Sequence, residues 1–531
     1  MELSKSLNSI KKDVFGGLTA GIIALPLALA FGVASGLGAS AGLYGAIILC
    51  FFATLFGGTP TQISGPTGPM TVVIASIAAL YHDNPAIVFF TIFLAGIFQI
   101  IFGISKIGKF VHYVPYPVIS GFMSGIGVII ILLQINPLMG LTSQGTPVDS
   151  VISLLKSLSD INFESMLIGM LTLIIVFFTP KFITKRIPSP LIALLLLTPI
   201  CAIMNLNINT IGEIPSSLPS LKLHLIHYKE IVNIIPVALT IAVLGSIDSL
   251  LTSLVADSIT KTKHNSNREL IGQGIGNTIA GVFGGLAGSG ATMRTVINIK
   301  SGGHTRLSGV VHSIFLICVV LFFAPYTAKI PLAVLAGILI KVGFDIIDYK
   351  FIKLIKAAPK SDLSVMIIVF LITIFDDLIF AVGAGIVLSS ILFAVNISKQ
   401  FDVNIKHISD EDDTIEEDEA KKIMILHIKG ILFFGSASQL ISRTEGLFDN
   451  NCVIIDCQEI EQMDISAVFA LEEIILRLKD KKIKVILILN NRKLAGQVLR
   501  LGLIKLISKD DIVFEMGKAC QKANLHNTSV D

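Results

Sequence analysis

A carboxylate inside an apolar run is the first feature of this sequence that could do chemistry. Asp248 stands within the hydrophobic stretch Ile231–Asp257, and Thr252 follows one helical turn later on the same face. A carboxylate at membrane depth costs roughly a few kcal/mol unless it faces a partner or a wet cavity, so it predicts a functional site. An oxygen cluster of this kind suits Na⁺. A protonatable carboxyl group and a structural helix–helix hydrogen bond are the alternatives.

Two short motifs could hold an anion. Ser64–Thr67 reads SGPT and Ser289–Thr292 reads SGAT, and each opens a short apolar segment. The free N–H groups and the positive dipole end at a helix N-terminus attract anions. We therefore predict two broken helices that start at one anion, with threonine hydroxyls to bind it and glycines to admit it to the backbone. The residues assigned in this way are Thr67, Thr292, Gly65 and Gly290. Ordinary N-capping by Ser and Thr, without a ligand, is the alternative.

Arg294 follows the second motif and places a fixed positive charge in the first turn of the predicted helix. It either binds the anion directly or pairs with Asp248 and neutralises it. The sequence holds no GxxxxGK[ST] pattern, so transport driven directly by ATP has no support. It also holds no HExxH pattern, which would indicate a zinc site. The six cysteines lack CxxC spacing, which predicts no disulfide framework. We expect no enzymatic activity, no cofactor or metal besides a coupling Na⁺, and no nucleic-acid partner.

The elements that must position these residues are membrane helices. Of the 531 residues, 53% are hydrophobic and 15% are charged, and the mean hydropathy is +0.80. These values are far from those of soluble globular proteins. Between Val14 and Ile397 we count about fourteen membrane-embedded helices, since a full span needs about 20 residues. The clearest spans are Phe15–Ser35, Ile87–Ile107, Val118–Ile135, Leu167–Phe182, Ile231–Asp257, Leu307–Pro325 and Leu378–Val395.

The distribution of Lys and Arg predicts the orientation of these helices. When the N-terminus is placed inside, most basic residues fall in inner loops, as the positive-inside rule requires. Both termini are then cytoplasmic. The inner set is Lys106, Lys109, Lys181, Lys185, Arg186, Lys261, Lys263, Arg268, Lys300, Arg306, Lys350, Lys353, Lys356 and Lys360, and the outer set is Lys156, Lys222 and Lys229.

An internal repeat relates the two motifs. Phe56–Gly58 (FGG) precedes the first motif, Phe283–Gly285 (FGG) precedes the second, and a Thr-Val pair follows both. If about seven helices separate the copies, an odd number, the copies have opposite orientations in the membrane. This is the inverted repeat that is typical of secondary transporters.

The chain changes character past Gln400. The acidic run Ser409–Glu419 predicts a solvated linker, and a small α/β unit follows it. Its predicted strands are Lys422–Ile428, Cys452–Cys457 and Lys484–Leu489, and its predicted helices are Ser466–Leu478 and Lys493–Leu501. The predicted domains are a cytoplasmic segment at 1–13, a transmembrane domain at 14–399, the linker at 400–420 and the α/β domain at 421–531.

Together these features resemble the sulfate permease (SulP) family of anion transporters over nearly the whole chain. The resemblance is carried by Gly16–Gly21, Ala24–Phe31, Ser64–Thr71, Asp248–Thr252 and Asn267–Gly274, and the C-terminal unit is similar to a STAS domain. It implies an α-helical polytopic fold of about 14 segments in 7+7 inverted repeats, with a core domain that moves against a gate domain. It also implies that the third and tenth helices meet at the anion. The anion-binding candidates are thus Thr67, Ala291, Thr292, Arg294, Gly65 and Phe31.

Within the family the chain looks most similar to the sodium-dependent bicarbonate transporters of photosynthetic bacteria. That resemblance implies a homodimer in a bacterial plasma (inner) membrane, with cytoplasmic regulators of the STAS-like domain. It assigns Na⁺ to Asp248, Thr252, Gly290 and Thr292. Two residues depart from that branch: Arg294 stands where it tends to have a small residue, and Gly65 where an acidic one can occur. Sulfate carriage coupled to H⁺ is the near alternative, and an anion channel or a STAS-based membrane sensor are the alternatives from other classes.

Asp464–Ala467 lies where bacterial STAS domains have a phosphoacceptor serine after an aspartate. Ser466 is the matching position and a candidate phosphosite. Helix capping by Asp464 or Ser466 is the simpler interpretation, and we prefer it.

Overall fold

The computed structural model describes residues 2–82, 84–109, 114–142, 146–184, 187–212, 219–221, 228–375, 378–399, 401–408, 423–444, 447, 450–489, 496, 503 and 506–527. The chain divides into two compact units, Met1–Ile386 and Val387–Asp531. The first unit is helical and the second carries a sheet, so each is described by itself.

Helices account for nearly all of the first unit, and the last of them continues into the second unit. In chain order they are α1 (Glu2–Ala34), α2 (Ala39–Phe56), α3 (Gly68–Leu80), α4 (Pro85–Ile104), α5 (Tyr116–Leu138), α6 (Pro147–Lys156), α7 (Phe163–Phe178), α8 (Lys181–Thr184), α9 (Ser189–Ile203), α10 (Tyr228–Thr260), α11 (Ser266–Val282), α12 (Thr292–Lys300), α13 (Arg306–Thr327), α14 (Leu332–Ile346), α15 (Tyr349–Leu354), α16 (Lys360–Phe375) and α17 (Leu378–Ser398). Among the described residues, 7 helices are long and apolar enough to cross a membrane.

Several helix boundaries differ from the prediction by a few residues or more, and two of the differences have a clear cause in the sequence. The first helix begins at Glu2 and includes the segment predicted as a separate N-terminal stretch, because that polar stretch holds no Gly or Pro to interrupt it. Helix α7 ends at Phe178 rather than Phe182, because Pro180 cannot continue a helix and disfavours a helical residue before it.

Fourteen of these helices form two inverted repeats of seven, as predicted, while α6, α8 and α15 lie in the connections. The counterpart pairs are α1/α10, α2/α11, α3/α12, α4/α13, α5/α14, α7/α16 and α9/α17. Packing follows the repeat: α1 and α2 pack on α13, and their counterparts α10 and α11 pack on α4. Helix α5 packs on its own counterpart, α14. The core is therefore built from α1–α4 and α10–α13, and the gate from the remaining helices.

The two Ser-Gly-x-Thr motifs meet at the centre of the core. Strand β1 (Ser64–Gly65) precedes α3, strand β2 (Ser289–Gly290) precedes α12, and the two strands pair antiparallel. A side chain at Gly288 would collide with the Gly65 carbonyl, so only glycine allows the strands to approach this closely. The crossing brings the starts of both half-helices to one place.

The second unit contains a five-stranded sheet in the order β3-β4-β5-β6-β7. Its elements are β3 (Asp402–His407), β4 (Ile423–Leu432), α18 (Phe434–Arg443), β5 (Cys452–Met463), α19 (Ile465–Asp480), β6 (Lys484–Ile488), β7 (Ile512–Val513) and α20 (Met516–Asn527). Strands β4 to β7 are parallel, and β3 pairs antiparallel with β4 at the edge.

The predicted linker at 400–420 is wrong at its start, because β3 lies within it. Residues 402–406 alternate between polar and apolar, which is typical of a half-exposed strand. The prediction overlooked this short pattern, because it assigned the segment to the linker together with the acidic run that follows. The acidic run Ser409–Glu419 and most of the predicted helix Lys493–Leu501 lie outside the described residues.

The core of the second unit packs α18 and α19 on one face of the sheet and α20 on the other. Burial raises the pKa of the Cys452 thiol to about 12 and raises that of Cys457 as well. Both thiols therefore behave as small apolar core groups rather than as nucleophiles.

Candidate functional site

The starts of the half-helices α3 and α12 form one end of the site. Thr67 and Ala291 are their N-cap residues, and neither side chain bonds to the helix that it precedes. The interpretation of the motifs as ordinary N-caps is therefore wrong. The first-turn N–H groups of a helix have no intrahelical acceptor, so both helix starts offer donors and positive dipole ends.

The predicted cation ligands lie around β2. The Thr252 hydroxyl donates to the Gly290 carbonyl at 2.9 Å and contacts the Thr292 hydroxyl at 2.7 Å. The Asp248 carboxylate accepts from the Ser289 hydroxyl at 2.5 Å. The described residues hold no cluster of three or more His, Cys, Asp or Glu side chains. The oxygen atoms that could bind a cation are thus those of a carboxylate, two hydroxyls and a carbonyl. These are the hard oxygen ligands that alkali and alkaline-earth cations prefer.

Ser289 joins the two sides of the site, and the sequence prediction missed it. Its hydroxyl lies 2.8 Å from the Thr67 hydroxyl as well as against Asp248. The recurrence of Ser in both motifs was the available signal. Ser249 also belongs to this shell, because its hydroxyl accepts from the Gly290 N–H at 3.0 Å.

Arg294 lies behind the crossing and is 1% exposed. Its Nη2 donates to the Pro66 carbonyl at 3.0 Å, and a side chain at Gly65 would collide with its Nη1. Within the described part of the chain, Nε and Nη1 have no hydrogen-bond partner and no ion pair joins Arg294 to Asp248. The alternative in which Arg294 neutralises Asp248 is therefore wrong. The guanidinium places a positive charge at Pro66, one residue before the N-cap of α3.

A second buried carboxylate, Glu269, supports β1, and it too was missed. Its Oε2 accepts from the Gly58 and Thr59 N–H groups, both at 2.8 Å, and its Oε1 accepts from the side-chain amides of Gln62 and Gln273, both at 2.8 Å. Four donors therefore satisfy both oxygens without a cation. Gln273 lies one turn after Glu269 in the sequence, which was a usable signal.

The same network reaches both Ser64 and α10. The Gln273 side-chain amide donates to the Ser64 hydroxyl at 2.6 Å, and the Ser253 hydroxyl donates to the side-chain Oε1 of Gln62 at 2.9 Å. Because Ser253 follows Thr252, this network fixes the position of a predicted cation ligand relative to β1.

Two clefts lie between the core and the gate. Asp248 opens on one of about 400 Å³ whose other walls are apolar, among them Pro69, Phe122 and Leu251. Phe31 is 4% exposed and lines the other, of about 260 Å³, together with Thr71 of α3. Asp248 and Phe31 thus lie at the boundary along which the core and the gate meet.

In the second unit, the start of α19 answers the question about capping. The Asp464 carboxylate accepts from the Ala467 N–H at 2.8 Å and from the Phe434 N–H at 2.9 Å. Asp464 is therefore the N-cap, as the simpler interpretation held, and Ser466 lies within the first turn. Phosphorylation of Ser466 stays a prediction.

Comparison with known proteins fits this architecture. Residues 10–369 match the sulfate permease family and residues 414–516 match the STAS domain. The bicarbonate transporter BicA of Picosynechococcus sp. is 42% identical to this chain, and the match covers 97% of this chain and 95% of that protein. The putative sulfate transporter YvdB of Bacillus subtilis is 33% identical, over 89% of this chain and 90% of its own.

The solved transmembrane domain of a cyanobacterial BicA is 47% identical, with a TM-score of 0.65, and the match covers 71% of this chain and 97% of that one. The family match covers more than half of the chain, and it falls on the helices that build the crossing. The chain is therefore an integral membrane transporter that belongs to the sulfate permease family, and it carries a C-terminal STAS domain.

Proposed function

We propose that this protein takes up bicarbonate in symport with Na⁺ by alternating access. One observation carries the proposal: the oxygens of Thr252, Gly290 and Thr292 converge at the start of α12, one helical turn from the Asp248 carboxylate. This donor set suits Na⁺, and Asp248 supplies the negative charge that a buried cation requires.

The anion would bind between the starts of α3 and α12. Thr67, Ala291 and Thr292 line these starts. Gly65 has no side chain, so the anion can approach the backbone of β1. Phe31 would close the site on the side that faces the gate. Arg294 adds a positive charge behind the crossing. Such an arrangement can neutralise a small anion without a bulky ligand-binding pocket.

Bicarbonate is favoured over sulfate by the relatives. The 42% identical relative is named as a bicarbonate transporter, whereas the one named as a putative sulfate transporter is 33% identical. Sulfate carriage coupled to H⁺ stays the second candidate, because Arg294 supplies a charge that suits a divalent anion and Asp248 could carry the proton.

Uptake into proteoliposomes tests the proposal. We expect labelled bicarbonate to accumulate above its equilibrium level when Na⁺ is high outside, and labelled sulfate to accumulate much less. Protein-free liposomes are the control. Sulfate uptake that ignores Na⁺ but follows a pH gradient would replace the proposal with the second candidate. Flux that never exceeds equilibrium would indicate an anion channel, and no flux at all a STAS-based sensor.

We further propose a homodimer in a bacterial plasma membrane, with both termini cytoplasmic and with the STAS domain open to soluble regulators. The support is the distribution of Lys and Arg and the resemblance to the family. We retain the predicted domain order, with the linker shortened by the residues of β3. Cysteine accessibility at Lys106 and Lys156, each replaced by Cys in turn, would report opposite sides of the membrane.

A further inference from the structure

The hydroxyl groups of the site have hydrogen positions that chemistry can assign. A Ser or Thr hydroxyl has one hydrogen to donate and lone pairs to accept. The Thr67 and Ser289 hydroxyls lie 2.8 Å apart, and the Thr292 and Thr252 hydroxyls lie 2.7 Å apart. In each pair, one hydroxyl also makes a second hydrogen bond, and the direction of that second bond decides which of the two hydroxyls donates to the other.

The first pair is oriented by Asp248. The Ser289 hydroxyl donates to the Asp248 carboxylate, because an ionised carboxylate only accepts. The single hydrogen of Ser289 is then in use, so the Thr67 hydroxyl must be the donor to Ser289. The direction runs from Thr67 through Ser289 to Asp248.

The second pair is oriented by a carbonyl. The Thr252 hydroxyl donates to the Gly290 carbonyl at 2.9 Å, and a carbonyl only accepts. The Thr292 hydroxyl must therefore donate to Thr252. The direction runs from Thr292 through Thr252 to Gly290.

Both motif threonines thus turn their hydrogens toward the candidate cation site. An anion needs donors, but in this arrangement Thr67 and Thr292 present only lone pairs to it. A cation reverses this, because a metal ion binds the lone pairs of a hydroxyl and the hydrogen then points away from the metal.

We propose that cation binding reverses these two hydroxyl chains and so makes Thr67 and Thr292 donors to the anion, with Ser289 as the residue that ties Thr67 to Asp248. Na⁺ neutralises Asp248 and weakens its hold on the Ser289 hydrogen, which releases Thr67. Na⁺ on the Thr292 oxygen turns that hydrogen outward. The cation therefore binds first, and the inference rests on the proposed function.

Ser64 supplies a matched control. It occupies the same place in the first motif as Ser289 does in the second, and it is equally buried. Its hydroxyl accepts from Gln273 and has no part in either chain. Removing it tests the loss of a buried serine at the crossing without touching the cation side.

The test measures the bicarbonate KM of the full chain in proteoliposomes at several Na⁺ concentrations. We expect the wild-type KM to fall about ten-fold from low to saturating Na⁺, because each of the two chains contributes about three-fold, the size of a modest net hydrogen bond. In Ser289→Ala the fall should shrink to about three-fold, since only the Thr292 chain remains. Its KM at low Na⁺ should lie below that of the wild type, whereas simple structural damage would raise it.

Ser64→Ala should keep the ten-fold dependence of the wild type. If Ser289→Ala does not fold, as judged by gel filtration, Ser289→Cys replaces it, because a thiol is a weaker donor of similar size and shifts the KM in the same direction. A wild-type KM that depends on Na⁺ with an unchanged dependence in the Ser289 variant overturns this proposal alone. Wild-type uptake that ignores Na⁺ overturns the proposed function and this inference together.

Discussion

The two copies of the repeated motif have the same sequence pattern and different surroundings. In the first copy, Ser64 accepts from Gln273 and belongs to the network around Glu269. In the second, Ser289 donates to Asp248 and contacts Thr67. The serine at the equivalent position therefore supports a strand in the first copy and faces the candidate transport site in the second.

This difference shows that the repeat sets the backbone but not the roles of the side chains. An inverted pair of half-helices brings two helix N-termini together, and both N-termini attract an anion that lies between them. A cation needs carboxylate and hydroxyl oxygens that are free to bind it. Asp248 of α10 supplies such a carboxylate beside β2, whereas four hydrogen-bond donors already occupy the Glu269 carboxylate near β1. The first half-helix can thus serve the anion while the second serves both ions.

Removing the support of the first copy should have the largest effect. Glu269→Ala leaves two backbone and two side-chain donors buried without an acceptor, at about 1–3 kcal/mol each. We expect little folded protein, measured as the monodisperse fraction in gel filtration after mild heating. Glu269→Gln, which keeps the shape and a carbonyl oxygen, should recover part of the folded fraction. An alanine variant as stable as the wild type would contradict the supporting role of this network.

The second copy is broken at its cation side by Asp248→Asn. The amide keeps the size of the side chain but removes the charge, so we expect Na⁺-driven accumulation of bicarbonate to fall by at least about ten-fold while thermal stability stays near that of the wild type. Accumulation and its Na⁺ dependence are measured in the same vesicles. Unchanged coupling in a folded Asp248→Asn protein would remove this residue from the site.

The two copies also differ in charge, because only the second is followed by an arginine. Arg294→Met keeps an unbranched chain of similar length and removes the positive charge behind Gly65. We expect the bicarbonate KM to rise about ten-fold and the Na⁺ concentration for half-maximal uptake to stay within about two-fold. A change in the Na⁺ response alone would instead assign Arg294 to the cation side.

The smallest expected effect concerns the start of α19, where two neighbouring polar residues again differ in role. Asp464→Ala removes the N-cap and should cost about 1 kcal/mol. Ser466→Ala should cost less than about 0.5 kcal/mol, since its side chain is not the cap. Hydrogen exchange of the first turn of α19 in the full chain measures both. Equal costs would contradict the assignment of the cap to Asp464.

Much of the architecture was predictable because it depends on patterns within short stretches of the sequence. Apolar length predicted the helix count, and the recurring FGG and Ser-Gly-x-Thr segments predicted that two broken helices start at one place. The short strands β1 and β2 that precede them were not predicted. Asp248 and Thr252 were predictable as a pair because a buried charge is costly and because one helical turn separates them.

What could not be predicted depends on contacts between distant segments. Glu269 lies at the end of a helix, where solvation would be a sufficient explanation, until the fold brings the Gly58 and Thr59 amides to it. The direction in which Arg294 points was undecided for the same reason, since one helical position can face either side of the crossing. Strand β3 is different, because its alternating residues 402–406 carried a local signal that was overlooked beside the acidic run.

The close approach of Arg294 to Gly65 has an evolutionary consequence. Any side chain added at position 65 would collide with the guanidinium, so the two sites are epistatic: a substitution at one is acceptable only against a particular background at the other. A side chain at position 65 would be accommodated more easily beside a shorter residue at position 294. A library that aims to change ion preference should therefore randomise Gly65 and Arg294 together.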